Sequence, residues 1–267
     1  MQTYVVNLAR SPERRAHMIA QLSKTRVQYQ IVDAVDGRDL DLSDSRLFDP
    51  AVVGTSAFRP GAVGCALSHL EVYRRVLDDG LEKALVLEDD VVLPADLDAL
   101  CDAIAQHMVG AEIALLNFHS PEPCRITKAG SVPLPSSRLL VQVIDEGQPS
   151  STGCYLITRE ACARMVKHIL PIRVHPDDWG FFFREGAIDR VRCVVPMPVA
   201  NSAAFRTTID YYRPGGVQAR IRETVENAKV PLLYQTLTLR RRRNLERGGW
   251  NGRIEFVDEL SGSEPPP

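Results

Sequence analysis

The residues best placed to do chemistry are Glu88, Asp89 and Asp90, which follow the apolar run Ala84-Leu85-Val86-Leu87 without a spacer. Three adjacent carboxylates repel one another and raise the cost of folding unless something neutralises them. A divalent cation would do so. If the chain stays extended, Glu88 and Asp90 point to one side and Asp89 to the other, so that one carboxylate can ligate an ion while another orients a water or hydroxyl. Oxygen donors of this kind suit Mg²⁺ or Mn²⁺, usually completed by substrate phosphates and water. The same triplet also reads as a solvated acidic strand end.

Two further groups have chemical potential. Arg10, Arg14 and Arg15 surround the start of a helix, where free backbone N–H groups and positive side chains can meet phosphates. Arg14 and Arg15 diverge by about one hundred degrees on a helix, so they cannot serve one ligand equally. His175, Asp177 and Asp178 form a polar cluster between apolar segments. Asp178 is a candidate general base, and equally a cap for the aromatic helix that begins at Trp179.

These residues need elements to position them. Gln2 to Leu8 reads as a buried strand, and Ser11-Pro12-Glu13 as a helix start in which serine caps and proline takes the first helical position. That helix runs to about Lys24, and Tyr29 to Val32 forms a second strand. Val63, Leu67, Leu70 and Leu77 mark one side of a helix from Ala62 to about Leu77. Ala84 to Leu87 has the character of a central strand. Further strands are expected at Ile113 to Leu116, Leu139 to Val143, Gly153 to Ile157 and Val191 to Val195, with a helix from Thr158 to about Ile169. Pro121 to Pro149, rich in Pro, Ser and Gly, reads as a loop region. Alternating strands and helices predict an α/β fold with a largely parallel sheet covered on both faces, and ligands bind such sheets beyond the carboxyl ends of the strands. Glu88 to Asp90 occupies one of those ends.

With 267 residues and 45% hydrophobic side chains, one main domain is expected, over residues 1–230. A basic tail containing Arg240, Arg241, Arg242 and Arg243 follows over 231–267, expected to be partly disordered. That run reads as a solvated helix face or as a contact with anionic lipid. The net charge of -2 supplies no global positive field for nucleic acid. The six cysteines contain no Cys-x-x-Cys pair and read as reduced, buried thiols. Cys65 among them reads as packing, since no activating base is near in sequence. The N-terminus lacks the order of a signal peptide and no stretch is long and apolar enough to span a bilayer, so a cytoplasmic location is expected.

Four blocks in order carry a family resemblance. Tyr4-Val5-Val6-Asn7-Leu8-Ala9-Arg10-Ser11-Pro12-Glu13-Arg14-Arg15, Asp33-Ala34-Val35-Asp36-Gly37, Gly61-Ala62-Val63-Gly64-Cys65-Ala66-Leu67-Ser68-His69 and Leu85 to Val91 resemble the signatures of glycosyltransferase family 25. That family includes bacterial lipooligosaccharide galactosyltransferases and collagen galactosyltransferase domains. Further on, Gly153-Cys154-Tyr155-Leu156-Ile157-Thr158 is similar to a later element of the family, and Asp177 or Asp178 to an aspartate in its Pro-x-Asp motif.

The resemblance implies a nucleotide-sugar fold of the GT-A type and inverting, metal-dependent transfer of a sugar, typically galactose from UDP-galactose, to a glycan or lipid-linked acceptor. Donor contacts are then implied at Asn7, Leu8, Arg10, Arg14, Asp36, Ser68, Glu88 and Asp89, and Mn²⁺ or Mg²⁺ at Asp90 with Glu88. Asp178, Asp177 and His69 become the catalytic candidates. His69 on spacing alone reads as a packing residue, and within this block as an imidazole that steadies the carboxylates. Gly61 and Gly64 permit a tight turn or close helix packing. Two rivals stand beside this reading: a non-catalytic nucleotide- or glycan-binding protein of the same fold, and a nucleotidyltransferase. The latter needs a Gly-rich phosphate loop, and Asn7 to Arg15 contains no glycine.

Overall fold

A computed structural model describes residues 1–41, 44, 46–52, 59–120, 123–205 and 254–257. The expected basic run Arg240 to Arg243 and most of the tail lie outside the described residues. In chain order the main elements are β1 (Gln2–Asn7), α1 (Pro12–Leu22), β2 (Gln28–Asp33), a 3₁₀ turn (Gly37–Asp39), α2 (Pro60–Asp78) and β3 (Lys83–Glu88). They continue with β4 (Val91–Val92), α3 (Leu97–Gln106), β5 (Glu112–His119), β6 (Cys124–Leu134), β7 (Arg138–Val143) and β8 (Ser150–Thr158). The last are α4 (Arg159–His168), α5 (Trp179–Arg184), β9 (Arg190–Val195), β10 (Ala200–Asn201) and β11 (Ile254–Phe256).

Nine of the strands form one sheet in the order β11-β6-β7-β9-β5-β8-β3-β1-β2. The expectation of a largely parallel sheet needs correction. β1 runs parallel to both β2 and β3, but β8 enters antiparallel between β3 and β5, and β7 is antiparallel to both β6 and β9. A continuous apolar run marks a buried strand without marking its direction. The connections decide direction, and β8 starts beside the carboxyl end of β3, where Leu87 faces Cys154.

Period-two alternation divides the core into two layers. Tyr4, Val6, Val86, Leu115 and Tyr155 face α2, α4 and α5, whereas Val5, Leu85, Leu87, Leu116 and Leu156 face α1 and α3. Both faces are therefore covered, which is why β1, β3 and β8 read as unbroken apolar runs. Helix α3 was not among the expected elements, although Leu97, Leu100, Cys101 and Ile104 carry its buried face at helical spacing.

Two local expectations also differ. The segment expected as a loop from Pro121 to Pro149 holds the β6–β7 hairpin, with Leu134 paired to Arg138. Its turn places Ser136 and Ser137 at φ 59° and 57°, a conformation that sequences usually advertise with Gly or Asn. Ser11 occupies the position before α1 but makes no capping bond with its side chain; its carbonyl accepts instead from Arg15 and from the Asn7 amide. Pro12 and Pro60 each open a helix, where the missing N–H costs nothing. Among the described residues no helix is long and apolar enough to cross a membrane.

Candidate active site

The carboxyl ends of β1, β2 and β3 lie side by side, with Val6 paired to Val32 on one side and to Glu88 on the other. One residue further on, Asn7 meets Asp89, donating from Nδ2 to Oδ2 at 2.7 Å. The chain leaves these strands around a cleft of about 540 Å³, open mouth included. Val6, Leu8, Arg10 and Arg14 come from the β1–α1 passage, Ala34 to Gly37 from the turn after β2, Gly61, Cys65 and Ser68 from α2, and Glu88 with Asp89 from β3. The position is the one at which open α/β sheets bind ligands.

Close backbone approach shapes one wall. A Cβ on Gly64 would sit 2.5 Å from the Val35 carbonyl oxygen, and one on Gly37 would sit 1.6 Å from that of Pro60. Glycine is therefore required at both places for the 34–37 turn to rest on the start of α2. Ser68 completes the contact: its hydroxyl accepts from the Val35 N–H at 2.9 Å and donates to the Gly64 carbonyl at 2.6 Å. It is a positioning residue for the wall. Asp36 and Arg10, both expected at the donor, bind each other at 2.7 Å. Arg38 and Arg10 together hold the Asp36 carboxyl well below the usual carboxylate range.

The acidic triplet divides in a way that extended geometry did not foresee. Glu88 ends β3 on the α2 side, where it accepts from the Thr152 hydroxyl, lies 3.8 Å from the Cys65 sulfur and 3.7 Å from His69 Nε2. Asp89 and Asp90 both turn to Arg14, whose Nη1 lies 2.5 Å from Asp89 and whose Nη2 lies 2.8 Å from Asp90. Alternation holds from Glu88 to Asp89 and fails at Asp90, because the strand ends at Glu88 and a turn begins. Part of the compensation expected from a metal thus comes from a buried guanidinium. Arg15, by contrast, is half exposed near Asp33.

The three carboxyls differ in their proton affinity. Burial raises Glu88, but the His69 imidazole, the Thr152 hydroxyl and Arg14 outweigh it, leaving the net shift downward. Burial and the Glu88 charge raise Asp90 to about 6, against the pull of Arg14. Asp89 is raised by burial despite Arg14 and Asn7.

His69 is fully buried on α2, with Nδ1 2.7 Å from the Tyr155 hydroxyl, which in turn meets the Tyr73 hydroxyl at 3.1 Å. Tyr155 also packs edge-on against Trp179 at 5.6 Å, which ties the start of α5 to the site. Just before Trp179, the two aspartates separate by role. Asp178, the expected base, accepts from the Phe181 N–H at 3.0 Å and caps α5. Asp177 is raised mainly by burial, lowered by His119 and His175, and raised again by the Glu88 charge, so it stands within electrostatic reach of the triplet. Thr152 and His119 escaped the sequence reading because single polar residues on β8 and β5 carry no periodic mark, and Tyr155 entered it only as part of a block that resembles the family. Cys65 was read as packing, although Cys65 and His69 are one helical turn apart and share a face.

A family model described as "Glycosyltransferase family 25 (LPS biosynthesis protein)" matches residues 1–179. Mouse procollagen galactosyltransferase 2 is 37% identical over 97 residues, covering 34% of this chain and 16% of that protein. Mouse inactive glycosyltransferase 25 family member 3 is 38% identical over 99 residues, covering 34% of this chain and 16% of that protein. The chain thus spans about a sixth of the length of these curated relatives. Among solved structures, A197 from STIV aligns with 77% of this chain and 85% of its own, at 15% identity and a TM-score of 0.40.

Proposed function

This chain belongs to glycosyltransferase family 25, and we propose that it transfers a hexose, galactose from UDP-galactose, to a glycan or lipooligosaccharide-type acceptor with inversion. The observation that carries the reading is the cleft at the ends of β1, β2 and β3, where Arg10, Glu88 and Asp89 meet at one opening. On this reading residues 1–230 are the catalytic region and 231–267 a basic tail, with Arg240 to Arg243 as a contact for anionic lipid. The fold is then of the GT-A type.

In the reaction, the acceptor oxygen bonds to the anomeric carbon as the bond from that carbon to the diphosphate oxygen breaks. The departing diphosphate gains negative charge, and Arg10 on the cleft lining is assigned to meet it. Asp177 is assigned the proton of the acceptor hydroxyl, in place of the capping Asp178. Asp89, held by Asn7 and Arg14, keeps the end of β3 in place. Glu88 and Asp90 remain the candidate oxygen donors for Mn²⁺ or Mg²⁺, but they leave the end of β3 on different sides, so an ion held by both would have to draw Asp90 away from Arg14. Such an ion would supply charge neutralisation at the leaving group.

A thermal-shift panel of nucleotide sugars with and without Mn²⁺ tests the donor, since a ligand of the folded state raises its apparent stability. A metal-dependent rise confined to one UDP-sugar, with release of free UDP on adding acceptor, is the expected result. The name of the inactive mouse relative supports a second reading, a nucleotide- or glycan-binding protein without turnover. Binding without UDP release would favour it.

A further inference from the structure

Cys65, His69 and Glu88 each offer one donor atom, and all three atoms lie within 4.8 Å of one another, with Cys65 and Glu88 on the cleft lining and His69 buried behind them. Cys65 and His69 are four residues apart on α2 and so project from the same helical face. Glu88 reaches that face from the end of β3, at 3.8 Å from the Cys65 sulfur and 3.7 Å from His69 Nε2. Zinc bonds of about 2.0–2.3 Å in a tetrahedron with one sulfur put neighbouring ligand atoms roughly 3.3–3.6 Å apart. The two separations from Glu88, 3.7 Å and 3.8 Å, need to close by only a few tenths of an ångström.

A second feature points the same way. His69 is 0% exposed, yet its Nε2 has no hydrogen-bond partner and is aimed at Glu88 across a gap too long for a hydrogen bond. Its other nitrogen is held by the Tyr155 hydroxyl, the arrangement that orients imidazole ligands. The Thr152 hydroxyl likewise fixes Glu88 Oε1.

We infer that Cys65, His69 and Glu88 form a binding site for a borderline-soft divalent cation, Zn²⁺ or Co²⁺, with its fourth position open to the cleft. Thiolate and imidazole select such ions over Mg²⁺ and Mn²⁺. A thiolate, a carboxylate and a neutral imidazole carry two negative charges, which a divalent ion cancels, while the thiol proton passes to solvent on binding. The site has three protein ligands and one free position, the arrangement of zinc sites that take a water or substrate oxygen. It shares Glu88 with the oxygen pair discussed above but requires no nucleotide, so its test is independent of sugar transfer.

The full chain, stripped with chelator and titrated with Co²⁺ in the absence of nucleotide, is expected to develop a near-ultraviolet thiolate-to-cobalt band at one ion per chain, displaced by Zn²⁺. Cys65→Ser should abolish the band, and Tyr155→Phe should weaken Co²⁺ binding by about tenfold. X-ray absorption on the zinc-loaded wild type should find one sulfur at roughly 2.3 Å among nitrogen and oxygen ligands. That measurement needs no variant to fold. Absence of a sulfur-to-metal band at saturating Co²⁺, zinc spectra without a sulfur shell, or a full band in folded Cys65→Ser would each overturn the site and leave an imidazole–carboxylate pair in its place.

Discussion

The guanidinium of Arg14 lies 2.5 Å from the carboxylate of Asp89, and both side chains are only 6% exposed. The same guanidinium reaches Asp90, so an acidic turn at the rim of the sheet contains its own cation. The Phe205 ring stands 5.4 Å from the Arg14 guanidinium carbon, adding an aromatic face to the enclosure. The end of β3 and the start of α1 are thereby joined by charge as well as by packing.

Removal of that cation should be costly. Arg14→Met leaves Asp89 and Asp90 without their partner and is expected to lower stability by about 3–5 kcal/mol in urea denaturation. Adding Asp89→Asn should recover part of the loss, because the uncompensated buried charge is what destabilises. An Arg14→Met protein as stable as wild type would show that the pair contributes nothing.

The raised proton affinity of Asp90 predicts a pH effect of definite sign. Its carboxyl moves from the ordinary 3.8 to about 6, so between those values the folded protein holds a proton that the unfolded chain releases. Stability from this group therefore falls as pH rises through that window, by on the order of 1–3 kcal/mol. Urea denaturation of wild type and Asp90→Asn between pH 4 and 7 should show the difference growing in favour of the variant as pH rises. A difference that stays flat refutes the assignment.

Asp177 and Asp178 should separate in kinetics and stability. Asp177→Asn is expected to reduce turnover by roughly a hundredfold or more with little change in thermal stability. Asp178→Ala should lower stability by about 1 kcal/mol through loss of the α5 cap, with turnover largely kept. The reverse pattern would return the base role to Asp178.

Gly64→Ala probes the cleft wall. The added methyl would meet Val35 O at 2.5 Å and Gly37 N at 2.7 Å, both backbone atoms that cannot swing aside. A loss of about 1–3 kcal/mol is expected, together with weaker nucleotide binding as the 34–37 turn is pushed from α2. Calorimetric titration with UDP checks the second effect, and unchanged affinity would show that the wall plays no part in binding.

The sequence alone determined the elements that bury themselves completely. Tyr4-Val5-Val6 and Leu85-Val86-Leu87 read as interior strands, with the carboxylates after the second run at a strand end; the fold decides whether that end is solvated or beside a ligand cleft, and it puts Glu88 and Asp89 in the cleft lining. The family, too, was legible in four short blocks, two of which carry the close backbone approach at Gly37 and Gly64 and two the charges Arg14 and Glu88 to Asp90. Direction and partnership were decided by the tertiary structure. The antiparallel entry of β8 brings Thr152 and Tyr155 to Glu88 and His69, and the crossing of α1 brings Arg14 to Asp89 and Asp90, across sequence separations of 64 to 86 residues. Local pattern records burial and helical phase; it holds no record of which distant group will meet a charge once the chain has folded.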